Sequence, residues 1–204
     1  MFADAQSGKT AFLRVLVKRI QHAYWPEEAR IIAVDYRRGL LGEVDEYLLG
    51  YGTSDKHSCG LLAEAAEALL KRLPGPDVTL KQLRARSWWQ GPVIFVLVDD
   101  YDMIATHKAH PLMPLLPLVV YGSDIGLHVV LARRTGGAGR GLFEPFLSRL
   151  REVGTPGLLM SGDRDEGPLL GGMRPQVLPP SRGWLIDRQR QRDLVQLAWQ
   201  QPNE

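Results

Sequence analysis

The sequence predicts an α/β fold in which helices flank a mainly parallel sheet, of the kind that binds nucleotides through a phosphate loop. The tripeptide Gly8–Thr10 opens an apolar stretch with helical periodicity, as the end of a phosphate-binding loop does. Short and almost wholly apolar runs, such as residues 93–98, end in charged residues. Such runs are typical of strands that are covered on both faces, and they indicate a parallel sheet with its ligand at the carboxyl edge.

Each residue type in Gly8-Lys9-Thr10 suits phosphate binding. Glycine lets the backbone approach the anion, and the free N–H groups of the first helical turn point toward it. The lysine reaches the β- and γ-phosphates, and the threonine hydroxyl can bind Mg²⁺. The full pattern is G-x-x-x-x-G-K-[ST], and its first position is Ala3 here. A chance match at the start of a helix is the alternative, because short motifs often recur without function.

The residues before the loop predict an incomplete fold. A phosphate loop normally follows the carboxyl end of a buried strand, and here Met1 and Phe2 alone precede it. The chain is therefore expected to be a fragment, to carry a misplaced start, or to have lost the central strand. We expect a sheet that lacks its first, loop-bearing strand.

Composition narrows the class of protein. A chain of 204 residues with 45% hydrophobic residues is long enough for one sizeable core. The net charge of +2, without a long basic run, argues against nucleic acid as a partner. Cys59 is the single cysteine, so no intramolecular disulfide forms and a reducing compartment fits. No apolar run approaches the roughly 20 residues that span a bilayer, so we expect a soluble chain that is not exported.

Periodicity and breakers predict the remaining elements in chain order. Helices are expected over 8–24, 58–72, 79–86, 112–121 and 142–152, and strands over 30–35, 92–98, 127–132, 157–161 and 194–199. A hairpin is expected with its turn at residues 181–183. Trp88 and Trp89 are expected to pack against a neighbouring element, with a partner-binding surface as the alternative.

Two acids follow the strand expected over 92–98. Beside a phosphate loop, Asp99 is expected to hold Mg²⁺, directly or through water, and Asp100 to polarise the attacking water. Asp100 is one methylene shorter than the glutamate of most hydrolytic phosphate-loop proteins, which predicts slow hydrolysis because the base must reach its water. Ordinary turn residues or a helix cap are the alternative interpretation.

Several basic residues are further candidates. Arg133 ends the strand expected over 127–132, where a sensor of the γ-phosphate would lie, and Arg134 or Arg182 could serve as sensor or act on a neighbouring subunit. The basic cluster at 188–192 could also reach a neighbouring subunit, although a solvated face is the more usual explanation.

The histidines are weaker candidates for a site. His107 and His110 have a spacing that metal ligands use, but no further cysteine or histidine stands nearby in sequence, so a surface loop is favoured. His128 lies on an expected strand and is interpreted as a core residue with its polar groups satisfied.

Eight strings in this order resemble one family: residues 4–10, 34–38, 98–102, 133–134, 143–147, 164–167, 179–183 and 194–198. Together they resemble the C-terminal ATPase domain of the EccC proteins, the FtsK/SpoIIIE-type ATPases of the type VII (ESX) secretion systems of actinobacteria. The resemblance extends over essentially the whole chain. Several of these strings are not general features of phosphate-loop proteins.

The resemblance implies a RecA-like parallel sheet, and a single FtsK/SpoIIIE-like ATPase domain over residues 1–204 that is truncated at its amino terminus. It implies a place after other ATPase domains and a membrane-anchored segment, and thus a cytoplasmic location at the inner face of the plasma membrane. The implied partners are those other domains, the membrane secretion complex, further copies of the motor in a homo-oligomer, and the C-terminal signal of a WXG100-type export substrate held in an apolar groove.

The resemblance also implies ATP and Mg²⁺ as cofactors. The implied ATP-binding residues are Asp4, Ala5, Gln6, Ser7, Gly8, Lys9, Thr10 and Ala11. Thr10 and Asp99 would bind the metal, with Asp100 and Arg133 in catalysis. The nucleotide site of the terminal domain is often degenerate in this family, and Ala3 and Asp100 fit that weakening.

Three functions follow as hypotheses. The leading one is a domain that binds nucleotide, hydrolyses it weakly or not at all, and recognises export substrates. The second is an active ATP-hydrolysing motor domain. The third is DNA translocation, which the FtsK relationship suggests and which the low net charge opposes.

Overall fold

The computed structural model describes residues 1–104, 110–189 and 191–199. The strands are β1 (Ala29–Val34), β2 (Leu48–Gly52), β3 (Val93–Val98), β4 (Leu127–Leu131), β5 (Gly157–Met160), β6 (Arg182–Ile186) and β7 (Arg192–Gln196). The α-helices are α1 (Lys9–Ala23), α2 (Asp55–Leu70), α3 (Leu80–Ala85), α4 (Tyr101–Ile104), α5 (Gly122–Ile125), α6 (Ala138–Gly141) and α7 (Pro145–Glu152). Segments of 3₁₀ helix cover Asp45–Tyr47, Met113–Tyr121, Arg164–Glu166 and Leu170–Gly172.

Four strands form a parallel sheet in the order β2-β1-β3-β4. Val34 lies opposite Val98, and Val98 lies opposite Leu131, so β1, β3 and β4 end level with one another. The residues that follow them, among them Asp35 and Asp99, therefore meet at one carboxyl edge. This α/β architecture, with a parallel sheet between helices, confirms the predicted fold class.

The parallel sheet is covered on both faces. On one face, α1 buries Leu13, Val17 and Ile20 against the sheet. The opposite face packs against α2, α7 and the 3₁₀ segment Met113–Tyr121 in the largest cluster of buried apolar residues. The sequence predicts a packed helix there, and the helix that forms is of the 3₁₀ type. Pro117 lies inside it, and the ring and missing N–H of proline disfavour a regular α-helix.

β5, β6 and β7 form a second, antiparallel sheet. The expected hairpin turn at 181–183 was wrong, because Arg182 and Gly183 are already the first residues of β6. The chain reverses between β6 and β7 instead, where Asp187 accepts a hydrogen bond from the Gln191 backbone N–H at 2.8 Å.

Residues Met1–Ala3 join the two sheets. Phe2 pairs in parallel with Arg133 beyond the end of β4 and with Leu159 on β5. Its N–H donates to the Leu158 carbonyl at 2.8 Å, and its carbonyl accepts from the Met160 N–H at 2.8 Å. No strand precedes the phosphate loop in the described residues, and this isolated pairing occupies the position where such a strand would end.

An apolar gap, which we call the slot, separates the sheets on the amino-terminal side of Phe2. It encloses about 780 Å³, and its lining includes Met1, Phe12, Val130, Leu158 and Val195. The slot is flanked by β4 on one side and β5 on the other. The two sheets are thus joined at Phe2 and are separated by the slot beyond Met1.

Two expectations for aromatic residues have different outcomes. The indole N–H groups of Trp88 and Trp89 donate to the carbonyls of Arg72 and Asp124, so both tryptophans pack as expected. The interpretation of His128 as a core residue was wrong: its side chain is exposed and stacks on Phe95, with ring centroids 4.7 Å apart.

The spacing of His107 and His110 was considered as a possible pair of metal ligands. His107 lies outside the described residues, and the His110 ring bonds to the Tyr101 hydroxyl at 2.9 Å. Across residues 1–104, 110–189 and 191–199, no group of three or more metal-binding side chains comes together. No helix in these ranges is long and apolar enough to cross a membrane.

Candidate phosphate-binding site

The predicted loop folds as a turn that ends directly at α1. Gly8 adopts a left-handed φ of 104° immediately before Lys9, the first residue of the helix. Side chains that prefer negative φ would be strained there, so the conformation favours glycine. No side chain caps the start of α1. Its first N–H groups are therefore available to an anion, and the helix dipole favours negative charge at that point.

Lys9 is folded back across the loop. Its side chain is buried, and its Nζ atom donates to the Asp4 carbonyl at 3.1 Å. The ammonium group thus spans the loop from the start of the helix to its opposite arm. A lysine held in this way places its charge beside any anion that the loop encloses.

Thr10 and Asp99 meet beside the loop. The Thr10 hydroxyl donates to Asp99 Oδ2 at 2.5 Å, although α1 and β3 are far apart in sequence. Asp99 is buried, and burial is the main cause that raises the pKa of its carboxyl, with the Thr10 bond acting in the opposite direction. A hydroxyl and a carboxylate in contact form a hard oxygen pair of the type that Mg²⁺ prefers. These residues fit the metal that the sequence predicts.

Asp100 lies at the same edge, next to Asp99. Its backbone has a left-handed φ of 45°, and its N–H donates to Asp99 Oδ1 at 2.9 Å. Asp100 Oδ2 is 3.0 Å from Nε of Arg37, which follows β1. We shall call the assembly of the loop with these two acids the phosphate corner.

The turn after β1, residues 35–40, forms one wall of the phosphate corner. Asp35 is buried and accepts from the N–H groups of Arg37 at 3.1 Å and Leu40 at 2.7 Å. It also accepts from the Tyr51 hydroxyl at 2.7 Å. A Cβ atom added to Gly39 would lie 2.9 Å from Thr10 Cγ2. The turn is therefore fixed by Asp35 and pressed against Thr10.

A second wall comes from the other sheet. The Ser181 N–H donates to the Ser7 carbonyl at 3.4 Å, and Ser181 Oγ lies 3.3 Å from the position of a Cβ added to Gly8. At the outer arm of the loop, the buried Thr135 hydroxyl donates to Asp4, whose carboxyl pKa is raised mainly by burial.

Arg133 is placed away from these groups. Its side chain is buried, lies over the Phe2 ring, and has NH1 3.7 Å from Glu144 Oε1. None of its side-chain contacts among the described residues is with the loop. The assignment of Arg133 as a γ-phosphate sensor thus stays a prediction without a contact in its support. Arg134 pairs with Asp102, and Arg182 is exposed at the start of β6.

The sequence reasoning gave no role to three residues that the fold brings to the phosphate corner: Arg37, Thr135 and Ser181. Arg37 follows a buried strand just as Asp99 does, and this position in the sequence could have indicated a place at the same edge of the sheet. That prediction would have required knowing that β1 and β3 are neighbours.

The chain is similar to known secretion ATPases. It is 44% identical to the ESX secretion system protein EccC of Thermomonospora curvata over 98% of the chain. It is 46% identical to the ESX-4 secretion system protein EccC4 of Mycobacterium tuberculosis over 99% of the chain. It spans 15% and 16%, respectively, of the lengths of these relatives. No family model matches the chain.

Solved structures agree with this relationship. The chain superposes with a TM-score of 0.94 on T. curvata EccC (ATPases 2 and 3) in complex with a signal sequence peptide, at 42% identity. This match covers 98% of the chain and 36% of that structure. A second structure, described as an ATPase, gives a TM-score of 0.89 at 30% identity and is covered over 78% of its length. The chain belongs to the EccC family of FtsK/SpoIIIE-type ATPase domains from type VII (ESX) secretion systems.

Proposed function

We propose that this chain is an ATPase-like domain of a type VII secretion motor that binds Mg-ATP at the phosphate corner and recognises WXG100-type export substrates. The observation that carries the nucleotide part is the convergence of Lys9, Thr10 and Asp99 beside an uncapped helix start. The proposed ATP-binding residues are Asp4, Ala5, Gln6, Ser7, Gly8, Lys9, Thr10 and Ala11. Thr10 and Asp99 are the proposed metal ligands.

The residues divide the work of binding. Lys9 exchanges the Asp4 carbonyl for the β- and γ-phosphates, and the N–H groups at the start of α1 bind phosphate oxygens. Thr10 and Asp99 would hold Mg²⁺ through their oxygen atoms. Bound Mg²⁺ supplies charge neutralisation at the phosphates. Asp100 then accepts a hydrogen bond from the attacking water and orients it.

Slow hydrolysis is part of the proposal. Asp100 is one methylene shorter than a glutamate, so its carboxylate reaches less far toward the attacking water. Ala3 occupies the first position of the loop pattern and is buried between the sheets, not exposed in the loop. An efficiently hydrolysing motor domain is the second candidate, and Thr10, Asp99 and Asp100 at one edge favour it.

Substrate recognition rests on the relative. The solved T. curvata EccC structure contains ATPases 2 and 3 with a signal sequence peptide, and this chain shares 42% identity with it. We extend that binding to the C-terminal signal of a WXG100-type protein for this chain. Other ATPase domains of the same motor, further copies of it and the membrane secretion complex are the proposed partners, at the cytoplasmic face of the plasma membrane.

The slot indicates where a further strand could join the two sheets of the domain. Its two flanks are strands that both run parallel to Phe2, and it lies in line with Met1–Ala3. We propose that residues 1–204 form one FtsK/SpoIIIE-like domain whose sheet is completed by an extended apolar segment preceding Met1. Such a segment would join the two sheets along the length of the slot.

The nucleotide part is tested by calorimetric titration with Mg-ATP. Lys9→Ala is expected to weaken binding on the order of 100-fold, because it removes the charge that faces the phosphates. Arg19→Ala, an exposed position on the same helix, is the control and should bind as the unmodified chain does. No saturable binding by the unmodified chain would overturn the proposal.

The recognition part needs its own titration. A peptide with the C-terminal signal of a WXG100-type protein should bind both the unmodified chain and Lys9→Ala with the same affinity, while a scrambled peptide should not bind. If Lys9→Ala abolished peptide binding, the proposal that recognition is independent of nucleotide would be wrong.

A further inference from the structure

The ion pair between Arg37 and Asp100 joins two neighbouring strands at the proposed nucleotide site. Arg37 follows β1 and Asp100 follows β3, and their Nε and Oδ2 atoms are 3.0 Å apart. The Arg37 side chain is 56% exposed and the Asp100 side chain 14% exposed. A pair this open contributes little to stability, about 0–1 kcal/mol. Its importance therefore lies in what it does to the Asp100 carboxylate.

Arg37 is held at its root. Its backbone N–H donates to the buried carboxylate of Asp35, which also accepts from Leu40 and Tyr51. The same turn is anchored from α1, because the Arg14 guanidinium donates to the Gly39 carbonyl at 2.8 Å. The guanidinium of Arg37 thus projects from a turn bonded on both sides.

Asp100 is held on its backbone side. Its φ of 45° lies in a region that residues other than glycine rarely adopt, and it persists where the surroundings impose it. The Asp100 N–H is bonded to Asp99, which orients the peptide. The side chain alone is then left to rotate, and the bond to Arg37 restricts that rotation.

We propose that Arg37 is a positioning residue that fixes the Asp100 carboxylate through Oδ2 and leaves Oδ1 for the attacking water. The inference rests on the proposed nucleotide chemistry of the site. In hydrolysis the water oxygen bonds to the γ-phosphorus and the bond to the β-phosphate oxygen breaks. The water proton passes to a phosphate oxygen. Asp100 acts by orienting the water, which a short side chain does well only if it is held still.

The experiment compares Arg37→Ala and Arg37→Lys with Arg38→Ala. Arg38 is exposed in the same turn, so its removal loses the same charge and serves as the matched control. We expect Arg37→Ala to lower kcat about tenfold while KM and Mg-ATP affinity change less than about twofold. Arg37→Lys should restore part of the rate, because lysine supplies the charge without the planar guanidinium.

A second measurement serves a chain whose turnover is too slow to follow. Mg-ADP with aluminium fluoride imitates the γ-phosphoryl group during attack by water. Arg37→Ala should weaken binding of this complex about tenfold while Mg-ADP binding is unchanged. Arg38→Ala should leave both affinities unchanged.

The outcomes separate this inference from the proposed function. If the unmodified chain does not bind Mg-ATP, both fail. If the unmodified chain binds Mg-ATP, and Arg37→Ala equals it in turnover and in aluminium fluoride binding, the positioning role of Arg37 is refuted while the proposed function stands. Faster turnover in Arg37→Ala would mean that the ion pair holds Asp100 away from the attacking water. An equal loss in Arg38→Ala would assign the effect to net charge. Either result rejects the positioning role.

Discussion

The phosphate corner and the slot lie on opposite sides of Met1–Ala3, and they are built in different ways. In the phosphate corner, polar groups from α1, β1 and β3 meet at bonding distance, as in the 2.5 Å contact between Thr10 and Asp99. In the slot, apolar side chains of the two sheets face a gap. The phosphate corner is complete from these residues, whereas the slot has room for more chain.

This difference teaches where each region gets its stability. The phosphate corner depends on hydrogen bonds that are already made, so single changes there should act on ligand binding. The slot is lined by buried apolar side chains, so changes there should act on folding. The following predictions test this division, from the largest expected effect to the smallest.

The largest effect is expected in the apolar lining of the slot. Leu158 of β5 lines the slot and is buried in a cluster with Ala3 and Met160. Leu158→Ala removes buried apolar contacts, so the free energy of unfolding should fall by about 2–5 kcal/mol.

Leu194→Ala, at an exposed leucine of β7, is the control and should change the free energy of unfolding by less than about 0.5 kcal/mol. Urea unfolding measures both variants. Equal losses in the two variants would show that the lining of the slot contributes no more to folding stability than the surface does.

The second prediction concerns the backbone of the loop. Gly8→Ala forces a left-handed alanine against Ser181 and should weaken Mg-ATP binding on the order of 100-fold, because the loop can no longer approach phosphate. Gly137→Ala is the matched control, with a φ of 71° and open space around its Cβ position. Both variants should lose about 1 kcal/mol of folding stability. A loss of nucleotide affinity in Gly137→Ala would indicate that strain alone is responsible.

The smallest effect is expected behind the phosphate corner. Tyr51→Phe removes the hydroxyl that donates to Asp35, so the free energy of unfolding should fall by about 1.5 kcal/mol, since the bond is to a buried carboxylate. Tyr121→Phe, at an exposed tyrosine, should change it by less than about 0.5 kcal/mol. Thermal unfolding measures both. If Tyr51→Phe also abolished Mg-ATP binding, the turn at residues 35–40 would be required for ligand binding as well as for stability.

The sequence predicted most of the parallel sheet and most of the residues that meet at the phosphate corner. β1, β3 and β4 were found because each is a short apolar run between breakers, and the loop and its two acids were found from residue types that phosphate and metal require. β2 was missed. Its residues Leu48–Gly52 include two glycines, which are not typical of strands.

Tertiary packing explains why β2 has glycine at these two positions. A Cβ atom at Gly50 would lie 2.6 Å from Leu61, and one at Gly52 would lie 2.3 Å from Ser58, so α2 packs directly on the strand backbone. A sequence pattern contains no information about this approach, because the residues concerned become neighbours only after folding.

By itself, the sequence determined the fold class and the family, and it identified the residues proposed to bind phosphate. These follow from local periodicity and from motifs whose residue types have a physical reason. The tertiary structure alone decided which side chains share the site. It placed Arg37 on Asp100, Ser181 against Gly8, and Arg133 against Glu144. The order of the parallel strands sets the first contact, because it makes the ends of β1 and β3 adjacent, and the packing of other elements against them sets the other two.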